Sequence, residues 1–157
     1  MLGNSPYLTQ QAFAHANGRF LSISRINHIY RFAQLKGRFA KLWARLTHQS
    51  RKLLDSKLFN LGDGHYAGLR TVSIDRIKGS EGRNGDFDSA FYPLKTHNKD
   101  RWVRVAAARL RGVVLPPVDL IRVGDIYFVR DGHHRISVAR AFGEEFIDAV
   151  VTVIEVK

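Results

Sequence analysis

The 157-residue sequence predicts an α/β (α+β) chain, a small mixed-sheet domain preceded by a basic helical N-terminal extension. Three observations predict it. Apolar residues from Phe32 to Leu53 recur at helical spacing, and no proline lies between Pro6 and Pro93 to break them. From Thr71 onward, short alternating or β-branched runs replace that spacing, as half-buried strands do. Those runs are interleaved with helix-length stretches and glycine turns, in the order strand, long loop, helix, hairpin, helix, strand. That order belongs to a compact mixed unit and not to a doubly wound nucleotide fold.

The N-terminal element is expected as a helix over residues 22–59. Phe32, Phe39, Leu46 and Leu53 recur every seven residues, with Leu35 and Leu42 three further on, which sets them on one stripe. Arg31, Arg38, Arg45 and Lys52 follow the same period beside the stripe, with Lys36 and Lys41 nearby. The bland reading is a core-packing helix with a solvated basic flank. The flank could also meet nucleic acid or a membrane surface, and the heptad-like stripe permits a homodimer. Leu61-Gly62-Asp63-Gly64 reads as a turn and as the boundary between residues 1–62, the basic helical segment, and residues 63–157, the α/β domain.

Within that domain Thr71 to Ile77 alternates as a strand, and a glycine-rich loop runs from Gly79 to about Pro93. Asn98 reads as the N-cap of a helix through Arg111, with Trp102, Val105, Ala106 and Leu110 on its buried face. Val113 to Ile121 and Ile126 to Val129 read as strands joined by a tight turn at Gly124-Asp125. A short helix from about His133 to Phe142 is closed by Gly143, and Ala149 to Val156 is a final strand.

Composition narrows the chemistry. There is no cysteine, which excludes disulfides, thiolate catalysis and cysteine-ligated metal. At 45% hydrophobic and 25% charged, the chain is an ordinary soluble domain, large enough to bury a core without staples. No apolar run is long enough for a membrane span, and the N-terminus lacks the basic region and apolar core of a secretory signal. A cytoplasmic protein with no membrane partner is therefore expected. The formal charge of +11 is uneven: residues 1–60 hold ten Lys/Arg against the single acid Asp55, and residues 61–157 hold fifteen against thirteen. That asymmetry favours an anionic partner such as nucleic acid.

The chemistry-bearing motif is Asp131-Gly132-His133-His134-Arg135, at a junction from strand to helix. Glycine there lets the backbone approach a ligand closely. The free amides of the first helical turn and the helix dipole favour an anion at the same place. His134 and Arg135 add side-chain donors, and Arg135 is suited to grip phosphate oxygens with two bonds. Asp131 could hold a divalent ion or orient a histidine. The bland alternative is that Asp131 caps the helix and the two histidines are exposed near its start. A metal site on His133 and His134 is not expected, because adjacent helical residues point about 100° apart.

The second cluster runs from Gly79 to Asp88. Its glycines predict mobility, Glu81, Asp86 and Asp88 are candidate magnesium ligands or bases, and Arg83 could neutralise a transferring phosphate. The alternative is a polar surface loop in which Asp86 and Asp88 cap a turn. The choice depends on whether the loop folds back over the Asp131 turn.

The run Gly112-Val113-Val114-Leu115-Pro116-Pro117-Val118, the hairpin, Val129 to Arg135 and then Ala139-Arg140-Ala141-Phe142-Gly143 together resemble the ParB/sulfiredoxin superfamily. Gly132 and Arg135 fall on the first and last positions of that family's glycine–acid–Arg–Arg turn. Arg83 stands where its first nucleotide-contacting box has an arginine. The resemblance covers roughly residues 71–156. It implies nucleotide binding: partition proteins of this type bind and hydrolyse CTP, sulfiredoxins bind ATP on a related turn, and archaeal free-serine kinases use a turn much like this one. His133 stands where sulfiredoxin has its catalytic cysteine, so sulfinic acid reductase activity is not implied. No helix-turn-helix pattern follows, so DNA binding of the partition type is not expected.

Two functional expectations result. The first is a nucleotide-binding or other phosphate-binding ParB-like domain, an NTPase or phosphotransferase if it is an enzyme. Arg83, Gly132, His133, His134 and Arg135 would hold phosphates, Glu81, Asp131 and His134 would serve catalysis, and Mg2+ would accompany a nucleoside di- or triphosphate. The second is a nucleic-acid-binding partition or regulatory protein acting through Arg31, Arg38, Lys41, Arg45 and Lys52.

Overall fold

The computed structural model describes residues 23–46, 52–59 and 61–156. In chain order these form helix α1 (Ile23–Leu46), strands β1 (Leu54–Asp55), β2 (Leu61–Ser73) and β3 (Ile77–Ser80), helix α2 (Lys99–Leu110), strands β4 (Val118–Val123) and β5 (Ile126–Asp131), helix α3 (His133–Ala141) and strand β6 (Phe146–Val156). The six strands make one mixed sheet in the order β1-β3-β5-β4-β6-β2. β4 and β5 pair antiparallel across the Gly124-Asp125 turn, as the sequence predicts. β3 runs parallel to β5, β4 parallel to β6, and β2 antiparallel to β6.

The central strands are apolar on both faces because both are covered. Leu120 and Val129 join the main core with Ile136 and Ala139 of α3, whereas Ile121 and Phe128 point to the other face. There Phe59 meets Phe128 edge-on, with ring centroids 5.3 Å apart. The three helices share a second core of Ile26, Tyr30, Trp102, Ala106 and Val138. Trp102 Nε1 donates to Ser137 Oγ at 3.0 Å, which fixes α2 against α3. Buried Arg109 ion-pairs with Glu144 just beyond α3.

Several expectations are corrected. The helix does not continue to Phe59. Leu53 is buried in the sheet core, Leu54–Asp55 is an edge strand parallel to β3, and Asp55 caps a short turn by accepting from the Lys57 amide at 3.0 Å. Leu53 keeps the helical period yet packs with a sheet, so periodicity overran the element. Residues 47–51 lie outside the described residues.

The apolar stripe of α1 is also not its buried face. Phe32, Leu35, Phe39 and Leu42 are exposed, whereas Ile26, Tyr30, Ala33 and Gly37 are buried. Small residues allow the close approach: a Cβ on Gly37 would stand 3.0 Å from Tyr92 Cβ. Tyr30 then meets Trp102 edge-on and donates its hydroxyl to the Lys95 carbonyl at 3.2 Å.

Leu61-Gly62-Asp63-Gly64 is not a turn but the start of β2, whose pairing with β6 shifts register near Gly64 and Gly68. The expected strand from Thr71 to Ile77 is the end of β2 and the start of β3, separated by a 3-10 turn at Ile74–Arg76. Residues 113–117 are irregular, because Pro116 and Pro117 have no amide to offer a ladder. Asn98 makes no side-chain cap bond; a 3-10 turn at Thr96–Asn98 leads into α2 instead.

Candidate anion-binding cleft

β5 ends at Asp131 and α3 begins at His133, so Gly132 alone makes the change of direction. Its φ is +101°, and a Cβ there would stand 2.5 Å from Val118 Cγ1. Both the backbone conformation and the space therefore require glycine. The first helical bond of α3 is from the Ile136 amide to the Gly132 carbonyl, at 3.0 Å. The amides of His133, His134 and Arg135 are left without partners in the helix, at its positive end.

These amides border a cleft of about 240 Å³ lined by Arg83, Arg101, Val105, Leu115, Pro116 and the turn from Asp131 to Arg135. β5 and α3 supply its floor, α2 supplies Arg101 and Val105, and the segment before β4 supplies Leu115 and Pro116.

The two histidines are not exposed helix-end residues; each is only 5% accessible. His133 Nε2 lies 2.6 Å from Ser80 Oγ, which also accepts the Arg83 amide at 3.2 Å. Phe87 stacks on the His133 ring at 6.0 Å and meets the His134 ring edge-on at 5.3 Å. Neither ring nitrogen of His134 has a hydrogen-bond partner among the described residues. Burial first, then the Arg83 guanidinium, pushes the His133 pKa down to about 4. His134 is pushed down to about 4 by burial and then by Arg101 and Arg83. Both imidazoles are neutral at pH 7.

Arg135 is not free to grip a ligand as expected. Its NH1 donates to the carbonyls of Pro116 and Pro117 at 2.6 and 2.9 Å, and its NH2 donates to Asp131 Oδ2 at 2.7 Å. The guanidinium thus fastens the segment before β4 to the turn, and Asp131 is its counter-ion, not a cap. The cations that do face the cleft are Arg83 and Arg101, both exposed and neither in an ion pair with a described residue. Arg101 was missed by sequence reading. It lies on a different helix from the turn, and no spacing in the chain indicates which residue of α2 comes to face the turn.

The glycine-rich loop does fold back over the turn, but it is anchored. Phe87 and Phe91 are fully buried, and Asp88 Oδ1 accepts the amides of Ala90 and Tyr92 at 2.9 and 2.8 Å. This is the capping role foreseen in the bland reading, and Phe91 takes a positive φ of 60° to complete the turn. Asp86 pairs with Lys95 at 2.9 Å. The Glu81 carboxylate faces Arg130 at 3.1 Å and does not line the cleft, so the structure does not bring it together with Asp131 and His134.

Arg31 and Arg38 are exposed on α1, Lys41 and Arg45 belong to the same helix, and Lys52 is not on it: its backbone forms an isolated antiparallel β-bridge with Asp88 of the loop. No group of three or more His, Asp or Glu that could hold a metal occurs among the described residues. No described helix is long and apolar enough to cross a membrane.

No protein-family model and no curated protein matches the chain. A solved structure to which it is similar is that of sulfiredoxin from Arabidopsis thaliana, at 13% identity, with 53% of this chain and 82% of that chain covered and a TM-score of 0.41. The likeness is one of fold and carries no chemistry to the cleft.

Proposed function

We propose that this ParB/sulfiredoxin-like domain binds the phosphate end of a nucleotide in the cleft at Asp131–Arg135. One observation carries the reading: among the described residues, His134 is buried with both ring nitrogens unpartnered, beside two arginines that form no ion pair and the positive end of α3. A buried polar group left unmatched costs about 1–3 kcal/mol, which a phosphate oxygen accepting from His134 would recover once the ring turns its buried nitrogen toward the cleft. The Arg83 and Arg101 guanidiniums would flank the same oxygens, and the free amides of α3 would close the remaining side.

The volume is below the roughly 300–1,000 Å³ of sites that enclose a whole small molecule. It suits phosphates, with the nucleoside lying outward along Val105 and Leu115. Asp131 is the only carboxylate among the lining residues and is the one that would face Mg2+ carried in on the phosphates, where the ion would neutralise charge. Of the three catalytic candidates, Asp131 and His134 border the bound phosphates in this reading and Glu81 does not. Binding is therefore the primary claim, and hydrolysis or transfer would run through His134 or Asp131.

The test is a thermal-shift screen of CTP, ATP, ADP and GTP, with and without magnesium, on the wild type, Arg83→Ala and Arg101→Ala. A nucleotide at 100 times its dissociation constant adds about 2.7 kcal/mol, several degrees for a domain of this size. The shift should vanish in both variants, whose altered side chains are exposed and leave folding intact. A wild type indifferent to every nucleotide would sink the reading. Phosphate release from the nucleotide that binds then separates an NTPase from a binding module.

A further inference from the structure

We propose that the outward face of α1 lies on an anionic lipid surface as an interfacial helix, inserting Phe32, Leu35, Phe39 and Leu42 between the headgroups. These four side chains are 60%, 56%, 73% and 56% exposed, an apolar row on the side of the helix opposite its buried face. The inner face is already committed to Ile26, Tyr30 and Ala33 against α2 and α3. The helix is thus formed and oriented before any partner arrives, and it cannot roll to hide the row.

Charge identifies the occupant. α1 contains no acid. By helical periodicity Arg31 and Arg38 run along one flank of the row, and Arg25 and Lys36 along the other. Lys36 Nζ sits 4.9 Å over the Phe32 ring, so a cation already stands at the edge of the row. A second copy docked on this row would bring two wholly basic flanks together, so like charges oppose it. A nucleic acid would meet Leu35 and Leu42, aliphatic groups that neither stack on bases nor bind phosphate. An anionic bilayer satisfies both halves, headgroups for the flanks and acyl chains for the row. The helix lies on the surface and does not span it.

The experiment is co-sedimentation of the full chain with vesicles of phosphatidylcholine alone and of an equal mixture of phosphatidylcholine and phosphatidylglycerol, at low and high salt. Binding is expected on the mixed vesicles only and should weaken with salt. Arg31→Gln and Arg38→Gln should each lower partitioning about fivefold. Phe39→Ser, at a side chain exposed enough not to affect folding, should lower it at least about tenfold. No sedimentation with mixed vesicles at low salt overturns the proposal, as does equal binding to neutral vesicles or full binding by Phe39→Ser. A dimer in light scattering, or duplex DNA binding, that Phe39→Ser abolishes would assign the face to a second copy or to nucleic acid instead and equally overturn it.

Discussion

Arg135 donates to three protein oxygens, on Pro116, Pro117 and Asp131, and so holds one wall of the cleft to its floor. Arg135→Ala should therefore lower unfolding free energy by about 1.5–3 kcal/mol, the usual worth of hydrogen bonds from a charged donor. Chemical denaturation measures this, and Arg101→Ala should stay within about 0.5 kcal/mol of wild type in the same experiment. Gly132→Ala meets two obstacles at once, a φ of +101° and a Val118 methyl at 2.5 Å, and should destabilise by about 2–4 kcal/mol. His133 and His134 set a pH dependence. Their folded pKa values, near 4, lie below the unfolded value of about 6.5, so the unfolded chain binds more protons between these limits. Their stabilising contribution is fully present above about pH 6.5 and is lost as pH falls through about 4, at up to about 1.4 kcal/mol per pH unit for each ring. Denaturation midpoints across that window check it, and a flat profile would contradict neutral buried imidazoles. A phosphate in the cleft would favour the charged rings, so nucleotide affinity should rise over the same acid window.

Two elements depend on which face the sequence commits. On α1 the buried face sets the small Ala33 and Gly37 beside Ile26 and Tyr30, so Ala33→Leu should overpack the helix interface and cost about 1–3 kcal/mol, whereas Phe39→Ser should leave the melting temperature almost unchanged. Equal effects would mean that the exposed row is packed in solution. In the loop from Gly79 to Pro93, Phe87 is the anchor, fully buried and in contact with both histidine rings. Phe87→Ala should cost about 3–5 kcal/mol, and limited proteolysis should then cut the loop. Loop glycines suggest freedom, but two buried aromatic rings and the Asp88 turn remove it. The β4–β5 hairpin, the start of α3 and the last strand were legible in the sequence because each is specified locally: a Gly-Asp turn, a glycine before a helix, a β-branched run. The extent of α1 and the break between β2 and β3 were not. In both places one residue pattern fits two backbones, and contacts far along the chain choose between them.

Across the whole molecule, the cleft is assembled from segments distant in sequence. The turn comes from β5 and α3, Arg83 from the loop after β3, Arg101 from α2 and Pro116 from the segment before β4. By itself the sequence determined the α+β class, the hairpin, the Asp131–Arg135 turn as a glycine junction from strand to helix and the basic character of α1. Each of these rests on local backbone chemistry or on a count of charges. Only the tertiary structure decided that Arg135 braces the cleft while Arg83 and Arg101 face it, that Glu81 stands apart, and that α1 turns Phe32, Leu35, Phe39 and Leu42 outward. Those outcomes depend on which surfaces meet at close range, and close packing selects shape: Ala33 and Gly37 fit against the domain where Phe32 and Phe39 would not.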